Sequence, residues 1–326
     1  MKSIKKIAIL TSGGDAPGLN AAIRAVVRSA IFYNLEVIGI QRGFEGMIDG
    51  DFVAMDASTV SNIIQRGGTI LKSSRSDLFK TKKGRAAAFK QLEKNNIDGV
   101  IILGGDGTFA GARVFLSEHK IQCVGIPKTI DNDLFGTDFT IGYDTAVNTA
   151  MTAIDKIRDT AESHNRLFFV EVMGRDAGYI ALRTGISVGA EAIIVPETRT
   201  DIAHLVSVLE SGWNRKKSSM IVVVAEGDTA GGAFKIADIM KKKFPDYDMR
   251  VCILGHIQRG GSPSCADRVL GSKLGMAAIE GLLKGKSNVM VGEINQKIVY
   301  TPFAKAVKHN MEVNKSMHKL MEILSS

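Results

Sequence analysis

Short apolar runs alternate along the chain with longer segments whose apolar residues recur every three to four positions. The runs are IAIL, EVIGI, GVIILGG, CVGI, LFFVEVM, EAIIVPE, MIVVVAEG and RVCILG. Runs of this length fit strands covered on both faces, and the segments between them fit crossover helices. The pattern therefore predicts an α/β fold of mostly parallel sheets flanked by helices. In NAAIRAVVRSAIF, the residues Ile23, Val26, Val27, Ala30 and Ile31 share one helix face, while Arg24 and Arg28 form a displayed basic pair four residues apart. DTAVNTAMTAIDKIRDTAESH predicts a long helix that starts near residue 142 and opens a second lobe. No low-complexity linker interrupts the chain, which is expected to cross between lobes more than once.

Length adds the second lobe to this picture, because 326 residues exceed what one core usually serves. No apolar run approaches the roughly 18 to 20 residues of a membrane span, and MKSIKKIAIL reads as a first strand, not a secretory signal. Cys123, Cys252 and Cys265 have no Cys-x-x-Cys spacing, so neither a disulfide framework nor a zinc site is expected, and the compartment expected is a reducing cytoplasm. The formal net charge of +8 fits nucleic acid, a membrane surface, small anions or a solvated basic surface. Aromatic residues are few and do not interleave with basic blocks, which argues against a nucleic-acid platform. Several Arg sit instead in Gly-containing loops such as QRGG and HIQRGG, and this points to small anions.

Ligands of doubly wound sheets bind beyond the carboxyl ends of the strands, so the residues after each run carry the candidate chemistry. They are Ser12-Gly13-Gly14-Asp15, KSSRSD near residue 75, Gly104 to Thr108, PKTIDND from Pro127, MGRDAG, Glu226 and GHIQRGGSP. Glycine at a strand-to-helix turn lets backbone N–H groups approach a phosphate, and the helix N-terminus adds positive potential. Asp106 within Gly-Gly-Asp-Gly-Thr repels phosphate unless a cation intervenes, which makes it the candidate for Mg2+; the plainer reading is a helix cap. Asp131 and Asp133 flank Asn132, where a carboxylate can serve as general base or build a turn. Arg75, Arg166, Arg175, Arg250 and Arg259 are candidates for bidentate phosphate contacts or plain surface residues. Neither glycine loop spells the dinucleotide fingerprint.

TSGGDAPGLNAAIRAVVRSA, GGDGT, PKTIDNDLFGTDFTIGYDTA, EVMGRDAGYIAL and LGHIQRGGSPSCADR resemble, in order and spacing, the 6-phosphofructokinase family over nearly the whole chain. The resemblance implies Mg2+-dependent transfer of the γ-phosphoryl group of ATP to the 1-hydroxyl of fructose 6-phosphate, a glycolytic step, by a homotetramer. It implies a nucleotide-binding lobe of residues 1–141 with 256–305 and a sugar-phosphate lobe of residues 142–255 with 306–326. By position, Gly14, Arg75, Ser76, Gly105, Asp106, Gly107 and Thr108 match nucleotide contacts, with Asp106 at the metal position. Asp131 matches the general base, and Arg75 and Arg175 match the groups that stabilise transferring charge. Thr129, Met173, Gly174, Arg175, Glu226, His256 and Arg259 match sugar-phosphate contacts, while Arg166 and Arg250 match arginines supplied by a neighbouring subunit.

Two positions depart from the bacterial ATP-using pattern. Lys128 stands where that branch has Gly and resembles the pyrophosphate-using branch, whereas Gly107 is retained where the latter tends to carry Asp. An Asp there would repel the α-phosphate of a nucleotide, so ATP is the expected donor and pyrophosphate the alternative. Arg24, Arg28 and Arg158 match effector-site arginines, with Lys217 where a further basic contact is expected, but Ala57 replaces another effector Arg. Control by the usual effectors is therefore in question. The Gly-Gly-Asp-Gly-Thr loop also resembles that of NAD kinases and lipid kinases, against which TIDND and GHIQRGG argue. A regulatory subunit without catalysis would need a damaged constellation, and Asp106, Asp131, Arg75 and Arg175 are all present.

Overall fold

The computed structural model describes residues 4–307, 319, 320 and 323. Most of the segment 306–326, assigned by resemblance to the second lobe, lies outside the described residues. The chain divides into two compact units, one of residues 4–130, 134–145 and 259–307, the other of Asp131–Asp133 and Ala146–Gln258.

The strands are β1 (Lys6–Thr11), β2 (Glu36–Ile40), β3 (Phe52–Met55), β4 (Gly99–Gly104), β5 (Gln122–Pro127), β6 (Leu167–Val172), β7 (Ala192–Ile194), β8 (Met220–Ala225), β9 (Met249–Ile253), β10 (Val289–Ile294) and β11 (Lys297–Pro302). The helices are α1 (Leu19–Phe32), α2 (Gly43–Asp49), α3 (Lys82–Lys94), α4 (Asp106–Glu118), α5 (Tyr143–Ser163), α6 (Tyr179–Ser187), α7 (Ile202–Asn214), α8 (Gly232–Lys243) and α9 (Cys265–Leu283). All eight apolar runs of the sequence form strands, so the α/β expectation holds, and the long helix begins at Tyr143.

Unit one contains a sheet of order β11-β10-β5-β4-β1-β2-β3, parallel except at its edges, where β3 and β11 run antiparallel to their neighbours. Side-chain alternation along its central strands feeds two cores. Ile7, Ile9, Ile101 and Leu103 pack with α1 and α9 residues such as Ile23, Val26, Leu274 and Leu282. Ala8, Leu10, Val100 and Ile102 face the other way, against Phe44, Leu92, Phe109 and Phe115 from α2, α3 and α4. The inward face of α1 is as the periodicity predicts, apart from Ile31, which is 40% exposed in the last turn before Tyr33 ends the helix. Unit two holds a parallel sheet of order β7-β8-β6-β9, one face of which packs Phe169, Val222 and Val224 against Leu209, Ile236 and Met240 of α7 and α8.

A buried carboxylate fixes the start of α5. Asp267 in the first turn of α9 is 1% exposed and accepts from Gly142 N–H at 2.7 Å, Thr145 N–H at 2.8 Å and Thr145 Oγ1 at 2.5 Å. Burial pushes this carboxyl up, while the Thr145 and Gly142 hydrogen bonds pull it back. Asn in its place offers one acceptor and turns an NH2 toward an N–H. Asp267→Asn is therefore expected to lower stability by about 1–3 kcal/mol, read from the midpoint and slope of urea unfolding.

Candidate active site

In unit one the chain leaves β1 toward β2 on one side and later returns to β4 on the other, so the β1–β4 boundary is a topological switch point, the place where sheets of this kind bind ligands. The exits of β1, β4 and β5 stay paired beyond the strands. Ser12 N–H donates to Leu103 C=O and Lys128 N–H to Gly104 C=O, each at 2.9 Å. Gly13 takes φ +83°, and the place its Cβ would occupy is 3.6 Å from Lys128 Nζ and 3.7 Å from Thr108 Oγ1. Three strand exits thus converge on one glycine. Gly104 must lack a side chain, because a Cβ there would lie 2.4 Å from Thr108.

Three consecutive carbonyls of the first loop are held by side chains. Ser73 Oγ donates to Gly13 C=O at 2.5 Å, the Lys128 ammonium donates to Gly14 C=O, and Arg259 donates to Asp15 C=O at 3.3 Å. In a trans peptide the N–H points opposite to the C=O, so pinning these carbonyls against protein turns the next N–H groups away from it. Successive N–H groups presented in this way make an anion-binding concavity. Lys128 is 4% exposed, so its ammonium is turned into the protein and not toward bulk solvent. Beside this loop, α4 starts at Asp106, with Gly105 in extended conformation before it, and its first-turn N–H groups have no intrahelical acceptors. Asp106 is half-buried and Gly107 exposed, and a Cβ on Gly107 would meet nothing within 4 Å.

The remaining unit-one candidates surround these loops to different degrees. Arg75 is exposed, while Ser76 Oγ accepts from Phe79 N–H at 3.2 Å and so caps the short turn Leu78–Lys80. Thr129 is half-buried, with its carbonyl held by Thr140 Oγ1 at 2.6 Å. Arg259, matched to the sugar phosphate by resemblance, belongs to unit one and lies against Gly14.

No group of three or more His, Cys, Asp or Glu suited to a metal exists among the described residues. A cation at Asp106 would take its other ligands from phosphate oxygens and water, which is the habit of Mg2+, so this donor set fits that ion.

Unit two repeats the logic of adjacent exits with other groups. Glu226 N–H donates to Val172 C=O at 2.9 Å and Leu254 N–H to Glu171 C=O at 3.0 Å, so the residues after β6, β8 and β9 lie side by side. Gly174 has φ +147° and Arg175 φ +56°, the latter a conformation that costs a non-glycine residue about 1–2 kcal/mol. Glu226 holds the bend by accepting Arg175 N–H at 2.7 Å and Gly174 N–H at 3.3 Å. Gly227 must be glycine for the same bend, because a Cβ would meet Arg175 C=O at 1.9 Å. The exposed Arg175 guanidinium stands 4.0 Å from the buried Asp131 carboxylate, with Asn132 beside Asp131 at φ +53°. Met173 is buried and His256 exposed.

Arg166 and Arg250 are not part of this group. Arg166 precedes β6, whose six residues separate it from Met173 by roughly 20 Å, and Arg250 pairs with Phe168 in the sheet register. The two share Asp248, at 2.5 Å and 3.2 Å, and Arg166 with Arg250 holds that carboxyl below the usual carboxylate range. Other candidate cations are engaged locally: Arg28 on Ala57 C=O at 3.3 Å, Arg158 on Val188 C=O at 2.5 Å, and Lys217 on the buried Glu191 at 3.2 Å. Sequence reasoning missed Gln258, Glu197 and Gly227. Only Gly227, directly after Glu226, carried a signal, as a glycine at a strand exit.

The chain matches the family model described as phosphofructokinase over residues 6–282. It is 56% identical over 322 residues to an ATP-dependent 6-phosphofructokinase of Cytophaga hutchinsonii, covering 99% of this chain and 98% of the relative. It is 52% identical over 325 residues to ATP-dependent 6-phosphofructokinase 2 of Bacteroides thetaiotaomicron, covering 100% of both. Among solved structures, the phosphofructokinase of Saccharomyces cerevisiae superposes with a TM-score of 0.87 at 32% identity, over 98% of this chain and 47% of the yeast chain, so the present chain spans about half of it. Likeness at half of all positions along nearly the entire length, joined to a family model that covers most of the chain, leads to one assignment: this chain belongs to the phosphofructokinase family.

Proposed function

We propose that the chain is an ATP-dependent 6-phosphofructokinase, converting fructose 6-phosphate and ATP to fructose 1,6-bisphosphate and ADP. The observation that carries this reading is the convergence of three strand exits on Gly13, with the carbonyls of residues 13 to 15 pinned by Ser73, Lys128 and Arg259. Unit one is the proposed nucleotide lobe. Gly14 and the run Gly105, Asp106, Gly107 and Thr108 receive the phosphates, with Arg75 and Ser76 alongside. Asp106 is the proposed ligand of Mg2+, which would neutralise charge on the phosphates.

Unit two is the proposed sugar-phosphate lobe, with Met173, Gly174, Arg175, Glu226 and His256 as contacts, joined by Thr129 and Arg259. In the reaction the 1-hydroxyl oxygen attacks the γ-phosphorus, the bond to the β,γ-bridging oxygen breaks, and ADP leaves with the electron pair. The hydroxyl proton passes to Asp131. Arg75 and Arg175 stabilise charge on the transferring group, and catalysis is chiefly positioning and electrostatics. Arg166 and Arg250, remote along β6 and β9 from Arg175, are proposed to serve the site of a neighbouring subunit in a homotetramer. The enzyme is proposed to act in the cytoplasm, without nucleic-acid or membrane partners; no helix among the described residues is long and apolar enough to cross a membrane. With Arg28 and Lys217 engaged locally and Ala57 in place of Arg, a weak response to the usual effectors is part of the same reading.

The second reading is a pyrophosphate donor, favoured by the Lys128 ammonium beside Gly13. Mixing fructose 6-phosphate and Mg2+ with ATP in one reaction and pyrophosphate in another tests the two, and fructose 1,6-bisphosphate is expected from ATP alone. Turnover with pyrophosphate alone would replace the first reading by the second. Asp131→Asn is expected to lower kcat roughly 10²- to 10⁴-fold, with the KM for fructose 6-phosphate changed by less than about threefold. Gly107→Asp has room for its side chain and should fold normally. Like charges about 4 Å apart cost about 4 kcal/mol at an effective dielectric near 20, so kcat/KM for ATP should fall on the order of 10³-fold, with unfolding midpoints unchanged.

A further inference from the structure

Gln258, in the turn Gly255–Arg259, is wholly buried, and its Oε1 accepts from Met173 N–H at 2.9 Å. That bond identifies the oxygen, which leaves Nε2 as a donor; Nε2 is buried and has no acceptor among the described residues. An apolar side chain of the same length would remove the orphaned Nε2 but leave Met173 N–H without its acceptor, so what the amide provides here is the bond to Met173.

The loop it touches explains it. Four N–H groups after β6 are accepted by side chains: Met173 by Gln258, Gly174 and Arg175 by Glu226, and Gly178 by Glu197 at 2.7 Å. Arg175 is held in a left-handed conformation that persists only when its surroundings over-determine it. Met173 is the residue at which the strand becomes the loop. A change in its peptide orientation is passed directly to Gly174 and Arg175.

We propose that Gln258 is a positioning residue for the sugar phosphate: through Met173 N–H it sets the course of the loop and so the place of the Arg175 guanidinium. The proposal rests on the reading of unit two as the fructose 6-phosphate lobe. Gln258 does not touch the substrate; it acts through Met173.

The test is steady-state kinetics of Gln258→Met and Gln258→Glu beside the parent enzyme, varying fructose 6-phosphate and ATP separately. Gln258→Met is expected to raise the KM for fructose 6-phosphate about tenfold while leaving the KM for ATP within about twofold. A merely structural role would reduce the amount of active enzyme and leave both KM values unchanged. Gln258→Glu keeps an acceptor for Met173 N–H at the same reach, so its KM for fructose 6-phosphate should stay within about threefold of the parent. A KM for fructose 6-phosphate within twofold of the parent in Gln258→Met, or a parallel rise in both KM values, would overturn the proposal. If Gln258→Met does not fold, a rise of about tenfold or more in the KM for fructose 6-phosphate in Gln258→Glu, which keeps the acceptor, overturns it instead. A parent enzyme that does not turn over fructose 6-phosphate overturns the functional reading, and this proposal with it.

Discussion

Parallel strands that pair in register begin together and end together, and the rest of this molecule depends on that constraint. β5, β4 and β1 are neighbours, so the chain must leave the sheet three times within two strand spacings, about 10 Å. Glycine at 13 takes the left-handed turn at φ +83° with Lys128 and Thr108 of the other two exits at contact distance, and glycine at 104 leaves room for Thr108 on its own exit. The same crowding lets Lys128, on the third exit, reach the carbonyl of Gly14 on the first. The concavity is thus a product of strand order before it is a product of any single motif.

The sequence made the strands of both sheets legible because central parallel strands are buried on both faces and read as unbroken apolar runs. β3, β10 and β11 escaped for the opposite reason. They form or adjoin the antiparallel edges of the first sheet, where β3 is only four residues long and β10 and β11 mix apolar residues with Gly292, Glu293, Lys297 and Thr301. The β10–β11 hairpin turns on Asn295 and Gln296, both at positive φ, in place of the Asn-Gly pair that advertises such a turn. Ile31 shows a similar limit, because periodicity gives the face of a helix but not where its neighbours stop.

For the candidate site, residues at strand exits were legible because type and position both point to chemistry. The residues that hold the loops were not. Gln258 lies inside a quoted motif, yet nothing in GHIQRGG tells that its amide is buried under Met173 N–H. Glu197 lies nineteen residues from the N–H it accepts, and Ser73 sixty from its carbonyl. Such pairings exist only once the sheets bring the exits together, so they belong to tertiary structure and leave no local trace. Lys128 is the intermediate case: its charge was visible and its burial was not.

The two units hold their loops with opposite polarity, and this separates the ways in which they can bind anions. In unit one the side chains that brace the first loop are donors: Ser73, Lys128 and Arg259 occupy carbonyls and leave N–H groups for a ligand. In unit two the braces are acceptors: Gln258, Glu226 and Glu197 occupy four N–H groups of the loop after β6. Backbone N–H groups suit a chain of phosphates that differ little from one another, because they read charge and spacing. A loop whose N–H groups are already used must recognise its ligand with side chains, and those discriminate hydroxyls from phosphates by length, charge and hydrogen-bonding capacity. The division fits a donor defined by its phosphates and an acceptor defined by its sugar. Arg175 keeps its left-handed backbone because Glu226 accepts its N–H and that of Gly174, and this bend leaves its guanidinium exposed beside Asp131.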